Sequence, residues 1–140
     1  MNTKKNDAIS FQITNVQVLD FSLTALPKAL PPASKFQFDL SLAHQIDAAN
    51  NTITVICRVL ILNEIKDTQY AALSSACVFS VQNLSDFWNK KSGHSLPNDF
   101  IIQLNAISLS TTRGLISAQF KGTYLQNIVL PLINISIETE

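Results

Sequence analysis

The residue types that carry chemistry are few and scattered. The chain has two histidines, His44 and His94, and two cysteines, Cys57 and Cys77. His44 closes an alternating apolar run, and His94 lies in the loop sequence Ser92-Gly93-His94-Ser95. Neither has an acid or a nucleophile at a spacing that would make it a general base. Both read as solvated. The cysteines form no CxxC or Cys/His pattern, so no metal site is expected. The carboxylates fall mostly at turns, chain ends and strand edges, and no pair of them suggests acid–base work. Gly93, Gly114 and Gly122 are the only glycines, too few for a loop that cradles phosphate. No catalytic residue and no cofactor is expected. Two charges do stand inside apolar runs. Asp20 reads as an exposed strand position. Arg58 reads as an edge residue or as the partner of a facing carboxylate, with the ion pair favoured.

The composition bounds what such a chain does. Ten basic and ten acidic residues cancel, which argues against nucleic acid and against a polybasic membrane contact. Charged residues make up 14% of the chain, against about 25% in an average domain. Surface of this kind is expected to be covered by copies of the chain or by a client. The first ten residues are polar and lack the apolar core of a signal peptide. The longest apolar stretch, Val59–Leu62, is too short to span a bilayer. These features lead us to expect a cytoplasmic protein with reduced thiols and no membrane insertion. The length suits a single domain over residues 10–140, preceded by a disordered tail over residues 1–9.

The elements that must position these residues change period midway. From Phe11 to Leu23 apolar residues alternate, but the phase slips at Thr14-Asn15 and at Val18-Leu19. One long strand, bulged or bent at those points, is expected. Pro27, Pro31 and Pro32 exclude a regular element over Ala25–Ser34 and leave an extended loop carrying Leu26 and Leu30. Phe36, Phe38, Leu40 and Leu42 alternate with polar residues as a second strand. Asp47–Asn51 is a turn, Thr52–Leu62 a β-branched central strand, Asn63–Thr68 a hairpin connection and Gln69–Val81 a fourth strand. The short connections favour antiparallel pairing.

A short helix is expected over Asp86–Lys91, capped by Ser85. A long helix comes next, from Pro97 to near Gly122, with Lys121 in its last turn. Its apolar positions are Ile101, Leu104, Ile107 or Ser108, Thr111 and Leu115. Its outward face, with Gln103, Ser110, Thr112 and Ser117, is poor in charge and looks made to meet another uncharged surface. Gly114 suggests close packing there. The segment Tyr124–Ile137 is apolar and β-branched, broken by Pro131. The fold class is α+β: a four-stranded antiparallel sheet packed with one long helix and a short helix.

In order and in local words the chain resembles the SecB protein-export chaperone family over about 120 residues. Phe11-Gln12-Ile13 and Asp20-Phe21-Ser22-Leu23 are similar to the first strand, with a proline-containing crossover loop after it. Val55-Ile56-Cys57-Arg58-Val59 and Val78-Phe79-Ser80-Val81 resemble the third and fourth strands. Thr112-Arg113-Gly114 resembles part of the long helix. Lys121-Gly122-Thr123-Tyr124 and Leu130-Pro131-Leu132-Ile133-Asn134 resemble the family's segment beyond that helix.

The resemblance implies a homotetramer, a dimer of dimers, that holds unfolded preproteins in apolar grooves and catalyses nothing. The groove residues it implies are Leu23, Leu26, Leu30, Phe36, Phe38, Leu40, Leu42, Tyr124, Ile128 and Leu130. Ordinary core packing accounts for each of these as readily. The resemblance also implies a contact of Asp20 with the translocation ATPase SecA. Thr24 and Tyr70-Ala71-Ala72-Leu73 stand where the family carries further acids, which weakens the electrostatic part of that docking. A SecB-like chaperone of one dedicated client, such as an antitoxin, is the nearest alternative. A small-molecule-binding α+β domain is the other, and it requires a convergent polar cluster.

Overall fold

The first strand is long because its apolar residues keep finding the same face after each slip in phase. A computed structural model of the chain describes residues 9–26, 30, 34–89, 93–94 and 96–131. In it β1 runs from Phe11 to Leu23 and pairs antiparallel with β4 (Gln69–Val81). The register breaks between Ile13 and Asn15 and between Val18 and Asp20. Thr14 and Leu19 are therefore the extra residues of two bulges, where the sequence slips its phase. After each bulge the row Val16, Val18 and Phe21, Leu23 returns to the core side, opposite Cys77, Ser75, Leu73 and Ala71.

Two tight turns build the rest of the sheet. β2 (Phe36–Asp47) pairs with β3 (Thr52–Asn63) in unbroken register. Their turn is Ala48–Asn50, where the Asp47 carboxylate accepts from the Asn50 N–H and Asn51 takes a left-handed φ of 56°. β3 pairs antiparallel with β4. Their turn is held by the Asn63 side-chain carbonyl, which accepts from the Asp67 and Thr68 amides at 3.0 and 3.1 Å. The sheet order is β1-β4-β3-β2, so the central strands are β3 and β4, and the edges are β1 and β2. The crossover loop after β1 carries the chain from one edge to the other. Its three prolines lie outside the described residues, as do all but Ile9 of the N-terminal tail and everything beyond Pro131.

The helical half differs from expectation in detail. The short helix is a single 3-10 turn, Leu84–Phe87, after which β5 (Trp88–Asn89) pairs with β6 (Gly93–His94). Ser85 lies inside that turn and does not cap it. A run this short, with adjacent Phe87 and Trp88, does not repay the cost of nucleating an α-helix. The long helix, α1, is Asn98–Gln119, with Pro97 in extended conformation before it. Lys121 falls beyond its end, and Gly122 takes a φ of +82°, which turns the chain back.

The face of α1 that meets the sheet is Phe100, Ile101, Leu104, Asn105, Ser108, Leu109, Thr112 and Ile116. Thr112, expected outward, is buried, while Thr111 and Leu115 are only half-buried. Positions 101, 104, 108, 112 and 116 keep the 3.6-residue period, and two of them are hydroxyl residues. Apolarity alone therefore pointed one residue off. Gly114 is exposed, and among the described residues a Cβ there would meet nothing within 4 Å, so these residues do not supply the close packing expected at it.

α1 lies on β3 and β4. It joins two apolar clusters. One gathers Val59, Ile61, Leu73, Ile116, Phe120, Leu125, Ile128 and Leu130. The other gathers Ile53, Val55, Phe79, Leu84, Phe100 and Leu104, with Phe11 edge-on to Phe79 and Phe100. Each large side chain withdrawn from water contributes about 1.5–3 kcal/mol. Between the clusters the seam is polar. The Ser75 and Thr112 hydroxyls meet at 2.8 Å, and Thr112 donates to the Ser108 carbonyl at 2.7 Å.

Candidate functional site

The residues expected to line a groove separate by burial into a half-buried set and a buried one. On β2, Phe36, Phe38, Leu40 and Leu42 point to the helix side and face Asn63, Ile61, Val59 and Cys57 of β3. All four are half-buried and packed against the first cluster. They are half-covered because β2 is an edge and α1 lies over β3 and β4. Leu23 and Leu30 pack against the same cluster, and Leu26 is half-buried at the start of the crossover. Ile128 and Leu130 are buried, with 7% and 1% of their surface exposed. Both belong to the first cluster.

Tyr124 ties these parts together. Its hydroxyl donates to the Thr24 carbonyl at 2.5 Å, and the Tyr70 carbonyl lies 3.4 Å away. Thr24 is held further by its amide to the Tyr70 carbonyl at 2.8 Å and its hydroxyl to the Gln69 carbonyl at 3.1 Å. Phe36, Tyr70 and Tyr124 stand edge-to-face in a row, with centroids 5.8 and 6.1 Å apart. Partial burial beside Tyr70 raises the Tyr124 phenol above its ordinary value. Tyr70 belongs to this aromatic row but was not among the groove residues expected from the sequence. Its signal was the aromatic first turn of a strand, next to Gln69, which reads as an ordinary strand start.

Asp20 lies on the opposite face of the sheet. It sits beside Ser74, which sits beside Arg58. The Arg58 guanidinium is 3.5 Å from the Asp20 carboxylate and donates to the Ser74 hydroxyl at 2.9 Å. The expected ion pair of Arg58 is thus made with Asp20, across the intervening strand. Both side chains are about half exposed, 47% and 62%, so the pair adds little stability but neutralises the acid. Among the described residues, no three His, Cys, Asp or Glu side chains converge on a point that could hold a metal. His44 bonds through Nε2 to the Asn105 side-chain oxygen at 2.7 Å, which ties the edge strand to α1. Cys57 and Cys77 are buried free thiols in the seam. Burial pushes the Cys57 thiol up to about 11, against a lowering contact from Thr112. Burial raises Cys77 as well, against the nearby Ser108 and Thr111 hydroxyls. Thiols so placed are poor nucleophiles. No helix among the described residues is long and apolar enough to cross a membrane.

No family model matches the sequence, and no curated protein matches it. The fold does match. The Rv1957 SecB-like chaperone of Mycobacterium tuberculosis, solved in complex with a ChAD peptide from the Rv1956 HigA1 antitoxin, superposes with a TM-score of 0.63 at 14% identity. The match covers 88% of this chain and 90% of that one. A protein of unknown function from Streptococcus agalactiae, also 14% identical, covers 91% of this chain and all of its own length at a TM-score of 0.45, too low to carry an argument. The resemblance drawn from the sequence therefore holds at the level of fold: this chain has the fold of a SecB-like chaperone.

Proposed function

We propose that this chain is a chaperone that holds an extended apolar stretch of a non-native client along β2. The observation that carries this reading is the half-buried row Phe36, Phe38, Leu40 and Leu42 on an edge strand, continued by Tyr70 and Tyr124. Such a surface offers apolar contact and strand backbone to many sequences. Leu23, Leu26 and Leu30 extend this strip, and Ile128 and Leu130 belong to the cluster it packs against. A dedicated client fits better than delivery for export. The SecB-like neighbour was solved with an antitoxin peptide, and Asp20 is paired with Arg58, so it offers little free charge to the ATPase SecA. Residues Ile102, Gln103, Ala106, Ser110, Gly114 and Ser117 form an exposed, uncharged face of α1. This face suits the assembly of copies into a dimer of dimers, working in the bacterial cytoplasm.

The test is dilution of a chemically unfolded client into buffer with and without the protein. Aggregation is expected to be suppressed near one client per assembly. Phe38→Ser is expected to weaken client binding by about tenfold, equivalent to roughly 1.4 kcal/mol, with a circular-dichroism melt showing that the fold persists. Unchanged aggregation together with no heat of binding in calorimetry overturns the reading.

A further inference from the structure

The two ends of the core are fastened differently. Around the second cluster, backbone bonds join segments far apart in sequence. The Val81 amide donates to the Asn51 carbonyl at 2.8 Å, and the Gln82 amide to the Ser10 carbonyl at 2.9 Å. Phe11 stands edge-on to Phe79 and Phe100 at the same end. Around the first cluster, the stretch after α1 adds apolar side chains without joining the sheet. Leu125, Ile128 and Leu130 are buried there with Val59, Ile61 and Leu73. Yet 123–130 forms neither strand nor helix. Among the described residues its backbone-to-backbone bonds are local turns: Thr123 to Phe120, Gln126 to Thr123 and Ile128 to Leu125.

Two side-chain bonds tie the ends of this stretch to other elements. Near its start the Tyr124 hydroxyl donates to the Thr24 carbonyl at 2.5 Å. At its far end Arg113 donates from Nε to the Leu130 carbonyl at 2.8 Å. Just before it lies Gly122, with φ +82°. A glycine moves between positive and negative φ at little cost, so the chain can turn there. α1 has its own hold on the sheet. Thr112 gives its hydrogen to the Ser108 carbonyl, so the Ser75 hydroxyl donates to Thr112. Asn105 bonds to His44 of β2. Neither bond involves the stretch after the helix.

We infer that residues 123–130 are a strap that opens about Gly122 as a unit of its own, while α1 and the sheet stay folded. Opening frees Leu125, Ile128 and Leu130 and withdraws them from Val59, Ile61 and Leu73. Phe38 and Leu40 face Ile61 and Val59. In the chaperone reading, on which this last step rests, the open strap therefore widens the client strip inward from β2. The closed strap competes with a client for the first cluster.

Hydrogen exchange of the full chain, read by mass spectrometry, tests it. Leu84 is buried in the second cluster, and Leu84→Ala destabilises the whole molecule. A strap that opens alone keeps the parental exchange rate over 123–130, while β3, β4 and α1 exchange faster by about tenfold or more. Equal acceleration of strap and core overturns the inference. Ile53→Val makes the same test with a smaller loss of packing if Leu84→Ala does not fold. Tyr124→Phe and Arg113→Gln each remove one tie. Both are expected to speed exchange over 123–130 by about tenfold with the core unchanged. A strap that responds to neither also overturns the inference. If the chaperone reading holds, Arg113→Gln, outside the strip, binds an extended apolar peptide more tightly than the parent chain. Equal affinity overturns the competition with the client. Independent opening of the strap with no peptide bound by any form leaves the strap standing and removes the chaperone reading.

Discussion

Cys57 sits where a hydrophobe would normally sit, beside Ser75 and Thr112 in the seam under α1. Its thiol is raised from 9.0 to about 11, chiefly by burial. A folded-state value above the unfolded one favours the neutral thiol in the native state. The stability this contributes is complete below about pH 9 and is lost as pH climbs toward 11. Cys77 and Tyr124 are raised too and act in the same sense. Urea midpoints are therefore expected to stay level from about pH 7 to 8.5 and then to fall. Cys57→Ala is expected to flatten that alkaline slope. A thiol reagent at neutral pH should label neither cysteine until the chain unfolds. At this scale the sequence was only partly legible. It showed two cysteines outside any ligand pattern and favoured the ion pair of Arg58, because a lone cation in an apolar strand needs a partner. It did not show that the partner would be Asp20. That pairing depends on β4 lying between β1 and β3, which is a matter of strand order.

At the scale of elements, alternation carried most of the information. The two phase slips in β1 located both bulges, because a half-buried strand keeps its apolar row on one face. The Asp and Asn residues located the first hairpin turn and the charged run Asn63–Thr68 the second; in these turns the Asp47 and Asn63 side-chain oxygens accept from backbone amides. α1 was harder to read. Its inward face includes Asn105, Ser108 and Thr112, and polar residues at buried positions look like solvent positions until the opposing Ser75 and His44 are known. Gly114 gave a false cue in the other direction. It is exposed within a helix, and among the described residues a Cβ there meets nothing. Gly114→Ala is expected to stabilise the isolated protomer by about 0.5–1 kcal/mol, by helix propensity alone. If copies pack against this face, the same substitution should shift the assembly toward smaller species. Thermal melts and light scattering across a concentration series separate the two effects.

At the scale of the molecule, the α+β class and antiparallel sheet were legible, since four strand signals precede one long helical signal. The apolar row on β2 was legible as alternation. That Phe36, Phe38, Leu40 and Leu42 would be half-buried while Ile128 and Leu130 are buried was not, because that depends on where the segment after α1 returns to the sheet.

The strand order has a further consequence, for how the chain folds. β2, β3 and β4 are joined by tight turns and can pair as they emerge. β1 must wait, since Phe11 pairs with Val81 and Leu23 with Ala71. Contacts so distant in sequence close slowly. The first strand made is therefore expected to be the last one placed, docking on a finished three-stranded meander. Truncations in β1, such as Val18→Ala, should mainly speed unfolding, whereas Val55→Ala in β3 should mainly slow folding. Stopped-flow chevrons would resolve the two. Until β1 docks, β4 is itself an edge. For a time each newly made chain exposes the kind of surface that we propose the finished protein shields in its clients.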